Sequence, residues 1–496
     1  MRKYLFLFLG LGFLFVSCSN DDDGINNTQN LNPNSEEVAV QNFMWQAMNL
    51  WYFWQASVPD LADDRFANDA DYTEFLASET DPAQFYESIQ FSEDRFSFSS
   101  EDFEELVQNF SGISKSNGLE FGLVRFTGSD DVFGYVQYIV PNSDASIKDI
   151  ARGDIFTGVN GETLFSDINN PDNNNITELL FSENSDTYTL NMADIDQVTN
   201  SITPNGREVT LTKQEGLVEN PVFITQSYDV GGQKIGYLMY NRFTDEFDED
   251  LNDAFGDLKT AGVTDLVLDF RYNPGGSVNS SRLLASMIYG TNTNELYIRQ
   301  RWNDKIQPQL SSSQLNDFFA ATTGDNSPIN SLNLNRVFIL VTNGSASSSE
   351  LVINGLNPYI DVVLIGETTT GKNEFSLTMV DDPGNDYIYN PDREDNINSN
   401  NSWAIQPLVG RNENSVGFLD YTNGFAPDVP LEEDLANLGV LGDVNEPLLA
   451  RALQEITGIS AKRDFTVKMP AKTMTNSKMF TLLKDNMYLD KQIIIK

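Results

Sequence analysis

The spacing of apolar residues changes character three times along the chain. Between residues 38 and 110 apolar and aromatic positions cluster in "VQNFMWQAMNLWYFWQA", "DPAQFYESI" and "SEDFEELVQNF", which predicts a helical region. The aromatic run from Phe43 to Trp54 reads as core rather than a ligand box. From about 111 to 215 the pattern turns to short strands, "GLEFGLVRF", "GYVQYIV" and "DASIKDIARGDIFTGVNGETL", which predicts a small barrel-like domain with one short helix.

Past residue 220 strands and helices alternate. "KIGYLMY" reads as a strand, and "DEFDEDLNDAFGDLKTAG" as a helix with Phe247, Leu251, Phe255 and Leu258 on one face, stopping at Gly262. "DLVLDF" is a buried strand, "SVNSSRLLASMIYG" a helix, "RVFILVT" a strand, "SSSELVINGL" a helix and "VVLIG" a strand. Such alternation implies a mainly parallel sheet whose working edge is formed by the loops at the strands' C-terminal ends. Residues 376–402 read as a long polar insertion without EF-hand spacing, hence a solvated loop. The segments are then 1–17 signal, 18–37 polar tether, 38–110 helical domain, 111–215 β-rich domain, 216–460 α/β domain and 461–496 basic tail. The tail reads as a flexible end or a docked strand, "KQIIIK".

Composition narrows the chemistry. A chain of 496 residues predicts two to three domains, and 40% hydrophobic content is that of a globular protein. A formal net charge of −42 argues against a nucleic-acid partner, which calls for clustered Lys and Arg. The chain has no histidine and one cysteine, Cys18. A histidine-based triad, a disulfide and a His-ligated zinc site are thereby excluded, and no metal or cofactor is implied. Any hydrolytic chemistry needs another base.

Arg2 and Lys3 precede an apolar run that ends at Ser17 and is shorter than a bilayer span. It reads as a secretory signal, and "FVSC" resembles a lipobox. Lipidation of Cys18 is expected to provide the membrane anchor. "SNDDDG" resembles the export signal of surface lipoproteins of the Bacteroidetes group, which implies an outer-membrane lipoprotein and, as a further expectation, exposure at the cell surface.

Three loops mark the sheet's edge: "RYNPGGSV", "TNGSASSSE" and "GETTTGKN". The last has the outline of a phosphate-binding loop, but Asn373 stands where Ser or Thr should hold magnesium. A strand-like "NEFSLTMV" also follows in place of the required helix. The second loop runs into a helix at Ser347, placing a hydroxyl and free N–H groups at a helix N-terminus. Ser347-Ser-Ser-Glu350 also fits a capping box, so by itself Ser347 reads as a cap. A serine nucleophile without histidine can use a lysine whose pKa is lowered by burial, and Lys372, beside an apolar strand, suits that task.

Together these residues resemble the carboxy-terminal processing (tail-specific) proteases, serine–lysine peptidases. "NGSASSSELVINGLNPYIDVVLIGETTTGK" follows the family pattern, with Lys372 falling 25 residues after Ser347. "LVLDFRYNPGGSV" and "IGYLMYNRF" match neighbouring segments, and "GLEFGL" through "ARGDIFTGVNGETL" resembles the PDZ domain these proteases carry. The resemblance implies a peptidase-type α/β fold, a PDZ-like domain and an N-terminal helical region. It makes Ser347 the nucleophile and Lys372 the general base, with the N–H of Ser348 and that of Gly275 or Gly276 as oxyanion hole. Ser345 and Ser349 match neighbouring motif serines. Gly118, Leu119, Phe121 and Gly122 would bind the substrate, a polypeptide offering a free C-terminus, with backbone N–H groups taking its carboxylate. The family's Gln position holds Ser376, and its Asp position Pro358; Ser376, Glu374 and Glu350 are then candidates to orient Lys372. The alternative is a non-catalytic binder of peptides or lipophiles on the same fold.

Overall fold

A computed structural model describes Pro33 and residues 36–495, except 183–184, 197, 460–463 and 485. The signal segment, Cys18 and most of the tether lie outside the described residues.

The centre is a six-stranded sheet in which Gln233–Tyr240, Asp265–Asp269, Arg336–Val341 and Asp361–Gly366 run parallel side by side. Val222–Val230 closes one edge antiparallel, and Val429–Pro430 the other in parallel. Successive residues of these strands feed opposite cores. Leu266, Leu268 and Ile339 pack with Leu251, Leu283 and Leu351 of the helices Asp248–Thr260, Val278–Tyr289 and Ser348–Leu356. Val267, Phe338 and Leu340 pack with Leu448, Leu449 and Ala452 of Pro447–Thr457. Burial on both faces explains why these strands read as unbroken apolar runs. Phe247 is the exception to the helical reading: it stands just before the helix Asp248–Thr260, not on its face.

A second six-stranded sheet has the order Gly276–Ser277, Met487–Tyr488, Glu374–Ser376, Leu408–Asn414, Leu296–Trp302 and Asn316–Phe318. The helix Ala39–Trp51 packs its aromatic residues into the core beneath it: Trp51 meets Trp302 edge-on at 5.9 Å, and Trp45 meets Tyr72 at 5.1 Å. The aromatic run is thus structural. No helix among the described residues is long and apolar enough to cross a membrane.

Residues 119–212 form a β-rich module of the strands Leu119–Arg125, Val132–Ile139, Ile155–Val159, Thr187–Asp196 and Ser201–Thr212, with the short helix Ile176–Leu180 and its own core around Phe121, Leu123, Phe156 and Leu190. Its sheet gains an edge strand from far away, Thr475–Asn476.

Two expectations need correction. Residues 376–402 are not simply a solvated loop, because Leu377, Met379 and Val380 are buried and Met379–Val380 pairs with Ala404–Gln406. Apolar residues at the root of the insertion anchor it, and the polar stretch follows. The tail does dock, but its strands are Thr475–Asn476 and Met487–Tyr488, while Lys491–Ile495 lies outside any strand.

Candidate active site

Strand Arg336–Val341 ends in a loop whose first turn is fixed by Ser345: its hydroxyl donates to Phe270 O (2.8 Å) and accepts from Thr342 N–H (3.0 Å). The loop then turns sharply at Ser347, held at φ 63°, ψ −114°. A non-glycine residue there carries on the order of 1–3 kcal/mol of strain, tolerated only where the surroundings over-determine it. The surroundings here are the first turn of the helix, clipped down by Ser348 Oγ to Gly276 O (2.7 Å) and Ser349 Oγ to Asn273 O (3.0 Å).

Ser347 and Glu350 face each other as in a capping box, yet only half of it is a hydrogen bond. Ser347 N–H donates to Glu350 Oε2 at 2.8 Å, whereas the Ser347 hydroxyl, fully buried, has no hydrogen-bond partner among the described residues.

The loop after Asp361–Gly366 brings Lys372 to the same spot. Its path needs glycine at 371, where φ is 84° and a Cβ would lie 2.2 Å from Thr422 O. Glu350 ties the two loops together: Oε1 accepts from Thr369 Oγ1 (2.5 Å) and Gly371 N–H (2.7 Å), and Oε2 from Lys372 N–H (2.9 Å) as well as Ser347 N–H. Burial pushes this carboxyl up to about 7, and the four hydrogen bonds oppose that shift. Lys372 is buried, its Nζ 4.9 Å from the Phe96 ring centre and 3.5 Å from Asn486 Oδ1. No hydrogen bond joins it to the Ser347 hydroxyl in this arrangement.

The third loop, 271–277, is pinned by a buried ion network. Arg271 bridges Asp269, Glu433 (3.1 Å) and Glu446 (2.8 Å). Gly275 and Gly276 have φ 110° and 134°, and a Cβ on Gly275 would lie 2.5 Å from Ser347 Cβ. The backbone therefore reaches the serine only because no side chain intervenes.

Residues 234–389 match Peptidase family S41, and residues 39–98 match the Peptidase S41 N-terminal domain. Over these two stretches the chain is similar to peptidase family S41. A crystal structure of a putative S41 protease from Bacteroides fragilis is similar to this chain at 28% identity and TM-score 0.62, covering 84% of this chain and 97% of that one. A probable CtpA-like serine protease of Staphylococcus aureus is 28% identical over 179 residues, 34% of this chain and 33% of that protein. The carboxyl-terminal-processing peptidase 3 of Arabidopsis thaliana, a chloroplastic protein, is 28% identical over 155 residues, 30% of this chain and 26% of that protein. The similarity thus spans about a third of these curated relatives or less.

The structure brings Ser347, Ser348, Lys372, Gly275 and Gly276 together, and it amends three expectations. Gly275 N–H donates to Asn273 Oδ1 (2.9 Å), so of the two glycines only Gly276 is left for an oxyanion hole. Gly276 in turn is paired in register with Met487 of the tail. Glu374 does not face the lysine, because it is engaged by Arg411 at 2.7 Å. Glu350 and Ser376 are the neighbours that remain. The N–H groups expected to cradle a carboxylate are also occupied: Gly118 donates to Ser116 Oγ (3.0 Å), Leu119 to Asn117 Oδ1 (3.0 Å) and Phe121 to Ser477 Oγ (3.0 Å). Gly122 sits where a Cβ would strike the Tyr135 ring at 2.4 Å, in register with Asn476.

The sequence reading missed Asn486. Its Oδ1 lies 2.8 Å from Ser376 Oγ as well as 3.5 Å from Lys372 Nζ, and Gln406 donates to Ser376 Oγ at 3.1 Å. An asparagine 114 residues from Lys372, in a segment without apolar period, carries no local signal of such a place.

Proposed function

We propose that this chain is a serine endopeptidase of the carboxy-terminal processing type that cuts polypeptides through an acyl-enzyme. The observation that carries the reading is Ser347: strained, buried, its hydroxyl without a hydrogen-bond partner among the described residues, and tied through Glu350 to the loop of Lys372. In the reaction, neutral Lys372 Nζ takes the Ser347 proton as Oγ bonds to the scissile carbonyl carbon. The oxyanion faces the N–H groups of Ser348 and Gly276; Ser348 is the first residue of its helix, so its N–H has no intrahelical acceptor. The C–N bond then breaks as Lys372 returns the proton to the leaving amine. Water hydrolyses the ester by the same route, Lys372 taking the water's proton and giving it back to Ser347.

The 119–212 module is, in this reading, a PDZ-like domain that takes a polypeptide end as an added strand on Leu119–Arg125. Cys18 is a lipidated N-terminus that holds the protein in the cell envelope, a reading that rests on the sequence alone. Membrane fractionation of Cys18→Ala tests it: the variant should remain an unprocessed precursor outside the lipoprotein fraction.

The test of the chemistry is turnover of a quenched-fluorescent unfolded casein alongside melting temperature. Ser347→Ala and Lys372→Ala should each lose on the order of a million-fold in rate, because residues acting as one unit fail together. Both should remain folded. A role as helix cap predicts instead a loss of about 1 kcal/mol of stability with activity retained.

A further inference from the structure

The C-terminal segment follows a path that a substrate would take. At the β-rich module it adds an antiparallel strand to Leu119–Arg125, with Thr475 opposite Leu123 and Asn476 opposite Gly122. Met474 N–H donates to Leu123 O (2.9 Å), and Ser477 takes the Phe121 N–H. Phe480 then stacks flat on Phe181 of the module, with ring centres 3.9 Å apart at 9°. Strand addition with a side chain seated beside it is how such modules take peptides. Every element of that recognition is supplied here by the chain itself.

The same segment continues into the cleft. Met487–Tyr488 lies between Gly276–Ser277 and Glu374–Ser376, parallel to both, joining the glycine loop to the strand that follows Lys372. Asn486 precedes it, with its side-chain oxygen on Lys372 and Ser376. Its backbone oxygen lies 2.8 Å from the position a Gly275 Cβ would take, and the Ser347 hydroxyl oxygen lies at the same 2.8 Å from that point. Ser347 and Lys372 are 0% and 1% exposed beneath this segment, so an incoming chain cannot reach them while it stays.

We propose that residues 470–484 and 486–495 are a tethered substrate mimic, so that the chain as folded here is latent and a polypeptide must displace the tail from both the module's edge and the cleft. The proposal rests on reading Ser347 and Lys372 as the reacting pair.

The segment is also built to leave. Asn486 Nδ2 and Tyr488 OH are buried without hydrogen-bond partners among the described residues. Asp490 accepts from the Ser277 hydroxyl, with the like-charged Asp245, Asp248 and Glu246 near it. Lys478 is buried and spends its ammonium on the carbonyls of Asn241 (3.0 Å) and Tyr272 (3.2 Å). Each polar group regains water on release, which offsets the apolar surface then exposed by Met487, Leu489 and Ile493.

Removing the tail outright exposes core residues, so the test keeps it attached and loosens its docking at the module. In the full chain, Met474→Pro deletes the hydrogen bond to Leu123 and Phe480→Ala deletes the stack. Wild type, the double variant and the double variant carrying Ser347→Ala are compared for casein turnover, with hydrogen exchange at 120–123 and 486–488 reporting release. The expected result is faster exchange at both places and a rise in turnover of tenfold or more, abolished by Ser347→Ala. Synthetic peptide 470–496 added in trans should then raise the variant's KM without changing kcat. Two results overturn the proposal. If wild type turns over casein through Ser347 and the released variant is no faster, the tail is not an inhibitor although the catalytic reading stands. If exchange reports release and neither chain turns over casein, the catalytic reading has failed and the proposal falls with it.

Discussion

A single carboxylate does most of the positioning at the site. Glu350 receives four hydrogen bonds, from the backbone of Ser347, Gly371 and Lys372 and from the Thr369 hydroxyl, so the loops of Ser347 and Lys372 share one fixed point. An amide in its place must turn its NH2 toward N–H donors on one side. Glu350→Gln is therefore expected to cost about 1–3 kcal/mol per donor left unpaired, and to lower kcat more than it raises KM. Melting curves and steady-state kinetics on one preparation check both; unchanged kcat would mean the loops keep their geometry without the carboxylate. Lys372→Arg probes the other half. Guanidinium keeps the charge but cannot accept a proton, so this variant should be as slow as Lys372→Ala, and near-normal turnover would remove lysine as the base.

Among the elements, the parallel strands deliver three loops to one edge, and the β-rich module is bolted to the first of them. Arg152 of the module donates to Tyr272 OH (2.7 Å) and to Glu433 (2.7 Å), the carboxylate that also holds Arg271. Removing one partner of a buried ion network leaves the other charge short, so Arg152→Ala should cost about 3 kcal/mol. Hydrogen exchange should quicken in strand Val132–Ile139, whose Gln137 carbonyl Arg152 also holds; protection equal to wild type would show that the module docks without this pair. Much of this arrangement was legible in the sequence. The buried parallel strands announce themselves as apolar runs, the helix after Ser347 by its S-x-x-E start, and the glycines by turns that tolerate no Cβ. The docked tail was not legible in the same way. Strands of two residues, Thr475–Asn476 and Met487–Tyr488, are recruited by edges offered elsewhere in the fold and have no room for an alternating pattern. "KQIIIK" carries the stronger local β signal, yet Ile494 is exposed and no edge is offered to it. Glu374 failed as a partner for Lys372 for a related reason, since Arg411 meets it across the strand pair Glu374–Ser376 and Leu408–Asn414.

At the scale of the whole molecule the acidic balance reaches inside. Besides a formal net charge of −42, the fold buries carboxyls at Asp248 and Glu350 and half-buries those of Glu120 and Glu367, each pushed up to about 7 first of all by loss of water around it. A carboxyl raised in the folded state binds its proton more tightly there than in the unfolded chain, whose groups titrate near 4. The contribution is fully present below that value and is lost progressively as pH rises toward 7 and beyond. The depressed Glu433, held down by Arg152 and Arg271, works oppositely, but its stabilisation is lost only as pH falls below the ordinary carboxylate range. The raised group is larger, so stability should be greatest near pH 5 and decline toward pH 8, by about 5 °C or more in Tm. Repulsion among surface carboxylates adds to the decline but is screened by salt, whereas the buried part is screened much less. Melting temperatures at pH 5, 6.5 and 8, each at low and high ionic strength, separate the two. A Tm that rises from pH 5 to 8 would show that these carboxyls are ionised in the fold at little cost. A decline that vanishes in high salt would place it on the surface and not in the interior.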